Sequence, residues 1–82
     1  MAKKNYENLA KEIVRYIGGV ENVNTLIHCA TRLRFKVKNT QNVDKKKLEQ
    51  LEGVITVLDS GGQIQVVIGQ HVADVYDTIF EV

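Results

Sequence analysis

The spacing of apolar residues predicts two amphipathic helices, one near each end of the chain. In the first, apolar residues recur every three or four positions as far as Ile17, and Gly18-Gly19 then ends the helix. The residues of this first stripe are Tyr6, Leu9, Ala10, Ile13, Val14 and Ile17. The stripe of the last helix comprises Val72, Val75, Tyr76, Ile79 and Phe80. Both helices therefore need an apolar surface to cover.

A shorter helix is predicted between these two. Asp44 can cap its N-terminus, because an aspartate side chain accepts hydrogen bonds from the first free backbone N–H groups of a helix. Leu48, four positions later, would pack back on Val43. Gly53 follows the last apolar residue and terminates the helix after about two turns.

Four extended segments complete the pattern, at residues 24–29, 33–38, 54–58 and 64–68. In the second of these, Leu33, Phe35 and Val37 alternate strictly with basic residues, which is typical of a strand covered on one face. Short links join the segments into two hairpins. These links are Ala30-Thr31-Arg32 and Asp59-Ser60-Gly61-Gly62, the second of which can adopt the positive φ angles of a tight turn.

In chain order the elements run α-β-β-α-β-β-α and predict an α+β fold. Strand pairs joined by tight turns favour a four-stranded, mostly antiparallel sheet, and three amphipathic helices can all be covered if they lie on one face of it. We therefore expect a two-layer sandwich. The chain contains no proline, linker or low-complexity stretch that would divide it, so residues 1–82 are predicted to form a single domain.

Composition and charge narrow the functional classes. Eleven Lys and Arg against ten Asp and Glu leave a net charge of +1, which is not typical of a protein that coats a polyanion, so any anion must be bound locally. No apolar run approaches the roughly 20 residues that span a bilayer, which predicts no membrane insertion of this chain. A single cysteine permits no internal disulfide, and no signal-like apolar segment follows Met1, so an intracellular, reducing location is favoured.

The most informative chemistry lies around that single cysteine, Cys29, which Arg32 and Arg34 follow at short range. A cysteine thiol normally ionises near pH ~8.5, so a site that uses thiolate at neutral pH surrounds the sulfur with positive charge and open backbone N–H groups. The same surroundings suit a phosphoryl group, because guanidinium presents a planar fork of donors that matches phosphate oxygens. Thiolate chemistry on phosphate is therefore the leading hypothesis.

The predicted hairpin tip would bring several phosphate-binding groups together. Cys29 lies where the first strand ends, and the backbone N–H groups of Ala30, Thr31 and Arg32 leave the ladder there and could converge on an anion. Thr31 adds a hydroxyl donor. Arg34 is two residues beyond Arg32, so both side chains share one face of the strand. The length of the turn and the face on which the sulfur lies stay open, because neither Ala30 nor Thr31 suits the positive φ of the commonest two-residue hairpin.

Other polar residues receive weaker functional interpretations. His28 adjoins the thiol but points to the opposite face of the strand, which favours a structural or electrostatic role over proton transfer. His71 is expected at the surface. Gly61-Gly62 lacks the Gly-Lys-Ser/Thr of a P-loop and is expected to form a turn. Gln65 faces away from its apolar neighbours and could donate to an anion or simply be solvated.

At this point the chain resembles a known family. Asn22-Val23 and the run from Cys29 to Val37 are similar to the phosphorylation-site signature of the B domain of enzyme II in the bacterial sugar phosphotransferase system, of the glucose/glucoside type. The resemblance extends through Gly53 and Ser60-Gly61-Gly62-Gln63 to the last helix. His28-Cys29 together with the Gly-Gly-Gln turn looks most like β-glucoside-specific permeases. Asn39 departs from the signature, which ends there in an acidic residue or glutamine.

The resemblance implies a function and a set of site residues. In this family the cysteine accepts a phosphoryl group from a phosphohistidine on the A domain and passes it to a sugar bound in the membrane-embedded C domain. Carried over, Cys29 is the nucleophile and phosphoryl carrier of a phosphotransferase, and Thr31, Arg32, Arg34 and Gln65 match phosphate-binding positions. The resemblance implies no metal, no organic cofactor and a cytoplasmic domain at the inner face of the cell membrane, with a β-glucoside as the expected sugar.

Two alternatives stay open at this stage. A cysteine-dependent phosphatase also places a cysteine before an arginine, but its arginine stands six residues after the cysteine, where this chain has Phe35. A small nucleic-acid-binding module could use the basic stripe from Arg32 to Lys38, although the near-neutral charge and the scarcity of aromatic residues beside the stripe argue against stacked bases.

Overall fold

The computed structural model describes residues 6–82, so the first five residues of the predicted domain lie outside the described part. The elements are α1 (Glu7–Tyr16), β1 (Val23–His28), β2 (Arg32–Val37), α2 (Lys45–Gln50), β3 (Thr56–Ser60), β4 (Gln63–Val67) and α3 (Val72–Ile79). Two short 3-10 turns, Val20–Asn22 and Thr40–Asn42, precede β1 and α2. The predicted order of elements and the α+β class are confirmed. No helix within the described residues combines the length and the apolar character needed to cross a membrane.

The four strands form one sheet in the order β1-β2-β4-β3, and every neighbouring pair is antiparallel. The two hairpins therefore meet along β2 and β4. Leu33 pairs with Val66 and Phe35 with Ile64 across this central seam, and all four side chains are buried. Since neighbouring residues of a strand point to opposite faces, the residues between them lie together on the other face, which we call the open face.

The helices cover the buried face of the sheet. Ala10 and Ile13 of α1, Leu48 of α2 and Val75 of α3 are all nearly inaccessible to solvent. They belong with the inward residues of the strands to one apolar core, whose largest member is Phe35. Because the helices cover only this face, polar side chains on the open face stay accessible to a ligand.

The end of α1 is built around Gly18. Its φ of +107° lets its N–H bond the carbonyl of Arg15 while the next N–H, that of Gly19, bonds the carbonyl of Val14, which is the Schellman pattern of a helix end. A Cβ on Gly18 would stand 2.6 Å from Nδ2 of Asn22. The predicted Gly18-Gly19 terminator is thus confirmed, and a close contact adds to the conformational requirement.

Two other local predictions can be compared with the structure. Asp44 caps α2 by accepting a 3.1 Å hydrogen bond from the backbone N–H of Lys47, as predicted. The second hairpin turns on Gly61 and Gly62 alone, both with positive φ. Strand β3 therefore extends to Ser60, two residues beyond the predicted end, because two glycines suffice for the tight turn. It also begins two residues later than the sequence predicts, at Thr56.

Candidate functional site around Cys29

Cys29 lies immediately after β1, at the tip of the first hairpin, and its side chain is exposed. Its backbone N–H donates to the carbonyl of Arg32 over 2.9 Å, so the ladder closes between these two residues and only Ala30 and Thr31 lie beyond it. Neither of them adopts a positive φ. Arg32, expected in the link, is instead the first residue of β2.

The hairpin tip is held against the loop between β4 and α3. The carbonyl of Thr31 accepts hydrogen bonds from the backbone N–H groups of Ile68 and Gly69, both at 2.8 Å. Among the described residues, the N–H groups of Ala30 and Thr31 have no hydrogen-bond acceptor. The tip is therefore anchored through its carbonyl and keeps two free backbone donors next to the sulfur.

Arg34 brings positive charge to the sulfur. It stands on the open face of β2, where Ile27 of β1 and Gln65 of β4 flank it. Its Nη1 lies 3.6 Å from Sγ of Cys29. This contact places the sulfur toward the open face, a point that the sequence leaves undecided.

Arg32 shares this face with Arg34, as the alternation along β2 predicts, but its guanidinium binds a different partner. Its Nη1 donates to Oε1 of Gln65 over 2.6 Å. The predicted residues Arg32 and Gln65 are thus in contact with each other, and Arg34 is the arginine that contacts the sulfur. Thr31, the remaining predicted residue, is exposed at the tip beside Cys29.

Gln63 joins the Cys29–Arg34 pair to the Arg32–Gln65 pair, and we call these pairs the two arms of the site. It was not among the residues predicted for the site. Its Oε1 accepts from Nη2 of Arg34 at 3.2 Å and from Nε2 of Gln65 at 2.9 Å. A continuous chain of contacts therefore runs from the sulfur through Arg34, Gln63 and Gln65 to Arg32. The two-residue spacing of Gln63 and Gln65, which places both on one face of a strand, was the signal available in the sequence.

The charge of the two arginines is not cancelled within the network. Their side-chain partners are amide oxygens and a sulfur atom, and in the described part of the chain neither arginine forms an ion pair with a carboxylate. Nε of Arg34 is buried without a hydrogen-bond partner. The guanidinium groups are thus oriented by amide oxygens that carry no charge, which leaves their positive charge available to an anion such as phosphate.

His28 lies on the other side of the hairpin. Its ring packs on Tyr76 of α3, with ring centroids 4.6 Å apart, and its Nδ1 lies 2.9 Å from the backbone carbonyl of Cys29. The predicted preference for a structural or electrostatic role therefore agrees with its position. His71 is exposed at the start of α3, as expected.

Neither a metal cluster nor a large cavity is found at the sulfur within the described part of the chain. No group of three or more His, Cys, Asp or Glu side chains converges within residues 6–82. An apolar groove of about 390 Å³ lies between α1, α3 and β1. Its lining includes Val20, Leu26 and Phe80, and Cys29 is not part of it. The groove is therefore separate from the site around Cys29.

Comparison with solved structures identifies the family. A crystal structure of one domain of the IIABC component of the phosphotransferase system from Clostridium difficile superimposes with a TM-score of 0.89 and 34% sequence identity. The match covers 96% of this chain and 83% of that chain. The chain belongs to the EIIB family of the phosphotransferase system. Residues 11–44, which include the second half of α1, β1, Cys29 and β2, also match the family model described as phosphotransferase system, EIIB.

The sequence relatives of this EIIB domain are longer proteins. Over 94% of its length it is 51% identical to the beta-glucoside-specific EIIBCA component of Halalkalibacterium halodurans, and over 92% it is 52% identical to the one of Dickeya chrysanthemi. It spans about 12% of the length of each. The resemblance of the sequence to the B domain of enzyme II is confirmed.

Proposed function

We propose that this EIIB domain is a phosphoryl carrier in sugar uptake and that Cys29 carries the group. Sγ attacks the phosphorus of a phosphohistidine on an A domain, an S–P bond forms as the N–P bond breaks, and the leaving imidazole nitrogen takes up a proton in place of the one lost by the thiol. A sugar hydroxyl then attacks the same phosphorus, the S–P bond breaks, and the sulfur regains a proton.

One observation carries this proposal: an exposed sulfur lies 3.6 Å from a guanidinium nitrogen of Arg34, and no carboxylate among residues 6–82 forms an ion pair with that guanidinium. Phosphoryl transfer passes through a loose transition state, so it needs positioning and charge stabilisation more than covalent assistance. Arg34 can supply both at the sulfur. Thr31, Arg32 and Gln65 complete the proposed phosphate-binding set, as hydroxyl donor, second cation and partner of that cation.

The partners and the location are part of the same proposal. The relatives are named EIIBCA components, a name that joins B, C and A domains in one protein. This supports an A domain as the donor and a membrane C domain with bound sugar as the acceptor. Their printed specificity supports a β-glucoside as the sugar. Residues 1–82 would then act as a single B domain at the cytoplasmic side of the membrane, without entering it and without nucleic acid.

Mass spectrometry after incubation with phosphoenolpyruvate, the general phosphotransferase proteins and an A domain tests the carrier role. We expect one phosphoryl group on the peptide that contains Cys29, and none on the Cys29→Ser variant. Because the side chain is exposed, Cys29→Ser should unfold at the same urea concentration as the wild type, which separates loss of chemistry from loss of fold. Label retained by Cys29→Ser would move the carrier residue elsewhere.

The phosphatase alternative receives no support from the site. Phe35, six residues after Cys29, is buried in the core, where an arginine of a phosphatase signature would have to meet phosphate. The protein labelled in the phosphorylation experiment also tests for phosphatase activity. Rapid release of inorganic phosphate from the labelled protein in buffer, without any acceptor, would favour hydrolysis over transfer.

A further inference from the structure

Gln63 connects the two arms of the site, and no role has been assigned to it so far. It is the first residue of β4, directly after the Gly61-Gly62 turn, and it pairs with Lys36 of β2. The carbonyl of Gly62 accepts a hydrogen bond from the N–H of Val37. These pairings with β2 fix the backbone at Gln63, so its side chain starts from a defined position on the open face.

We propose that Gln63 is a positioning residue for phosphoryl transfer: its amide oxygen holds the guanidinium of Arg34 against the sulfur without neutralising it. The inference rests on the proposed function of Cys29. Nη1 of Arg34 contacts the sulfur while Nη2 donates to Gln63, so the two contacts together fix the plane of the guanidinium. A guanidinium held by one contact alone could rotate about its long side chain and lose the fork geometry that phosphate requires.

The neutrality of the amide is the second part of the argument. A glutamate here would offer similar acceptor oxygens and would also bring a negative charge within hydrogen-bonding distance of Arg34. That charge would compete with the phosphoryl group for the same cation. Glutamine orients Arg34 and leaves its positive charge available, and Gln65 does the same for Arg32.

Gln63→Glu tests the charge at the sulfur through the alkylation of Cys29 by two matched reagents, anionic iodoacetate and neutral iodoacetamide. Both react with the same atom, so the ratio of their rates cancels changes in exposure or ionisation of the thiol and reports the local potential. The 3.2 Å and 3.6 Å contacts of Arg34 and the width of its guanidinium place the added charge at most roughly 9 Å from the sulfur. At an effective dielectric constant of about 40, that charge should lower the iodoacetate/iodoacetamide ratio about fivefold.

Gln50→Glu is the matched control, because Gln50 is an exposed residue at the end of α2, in the layer of helices rather than on the open face. It changes the net charge equally and should leave the ratio nearly unchanged, since an exposed charge in the other layer of the molecule is largely screened by salt. An unchanged ratio in Gln63→Glu, or an equal fall in Gln50→Glu, would overturn the assignment.

Gln63→Met separates positioning from charge. Methionine keeps the volume and removes the acceptor, so transfer from a phosphorylated A domain should slow several-fold at saturation while the A-domain concentration at half-maximal rate stays the same. An unchanged maximal rate would refute the positioning role. If wild-type Cys29 accepts no phosphoryl group at all, the proposed function fails, whereas the alkylation ratio still decides whether a charge at position 63 acts on the sulfur.

Discussion

Asn22 offers the sharpest test of how the scaffold is held together. The residue is only 3% exposed, and its side chain makes three hydrogen bonds to backbone groups. Nδ2 donates to the carbonyls of Ile17 at 2.7 Å and Asn39 at 3.1 Å, and Oδ1 accepts from the N–H of Asn39 at 3.0 Å. One side chain thus ties the end of α1 to the segment that follows β2.

Replacing Asn22 with alanine removes all three bonds and leaves their backbone partners in place. Each such bond contributes about 1 kcal/mol net, and a buried group left unpaired costs about 1–3 kcal/mol. Ile17 is fully buried, so its carbonyl has poor access to water. We therefore expect the free energy of unfolding to fall by about 2–4 kcal/mol, a large share of the roughly 5–15 kcal/mol that stabilises a small domain.

Urea denaturation monitored by circular dichroism measures this loss. The midpoint should fall while the slope m stays constant, because the surface exposed on unfolding hardly changes. A thermal scan should show Tm lower by about 8–32 °C, given about 4–8 °C per kcal/mol for a domain of this size. Asn42→Ala, a change of the same type at an exposed position, should stay within about 0.5 kcal/mol of the wild type.

A loss below about 1 kcal/mol in Asn22→Ala would refute the reasoning, because it would mean that the three backbone groups find other partners at no cost. The alkylation rate of Cys29 shows in addition whether the substitution disturbs the site. Cys29 lies at the other end of β1 from Asn22, so at temperatures where the variant is folded the alkylation rate of Cys29 should equal that of the wild type. A changed rate would show that the substitution acts on the site and not only on stability.

Two further predictions concern the arginines and the second turn. Arg34→Lys keeps the charge, but a lysine cannot contact the sulfur and Gln63 at once. Phosphoryl transfer to Cys29, followed in a rapid-quench assay, should therefore slow by about tenfold or more. Arg32→Lys should slow transfer less, and a larger effect of Arg32→Lys than of Arg34→Lys would contradict the geometry. Gly62→Ala should cost about 1–2 kcal/mol in urea denaturation, because its φ of +85° is unfavourable for alanine although space for a Cβ is open; a neutral result would show that the turn relaxes.

The local parts of the fold could be predicted from the sequence because each depends on neighbours along the chain. The Asp44 cap and the Gly18-Gly19 helix end are examples, and the structure confirms both. The strict alternation of Leu33, Phe35 and Val37 likewise identified the buried side of β2. Strand limits shifted by one or two residues because hydrogen bonds, and not residue preferences alone, decide where a ladder begins.

The order of the strands could not be predicted in this way. The sequence indicates two hairpins, but the meeting of β2 with β4 depends on the packing of residues about 30 positions apart. Arg34 and Gln63, for example, are separated by 29 positions and touch only because of that pairing. Prediction of the site was limited for the same reason: Cys29, Arg32 and Arg34 lie in one short run, whereas the role of Gln63 follows from the seam between hairpins.

This seam links the stability of the core to the chemistry of the open face. Ile64 and Val66 are buried against Phe35 and Leu33, while Gln63 and Gln65 point the other way toward the arginines. Because the period of a strand is two, a slip of one residue would expose the apolar pair and bury both glutamines. The core therefore fixes the register that places the amide network beside Cys29.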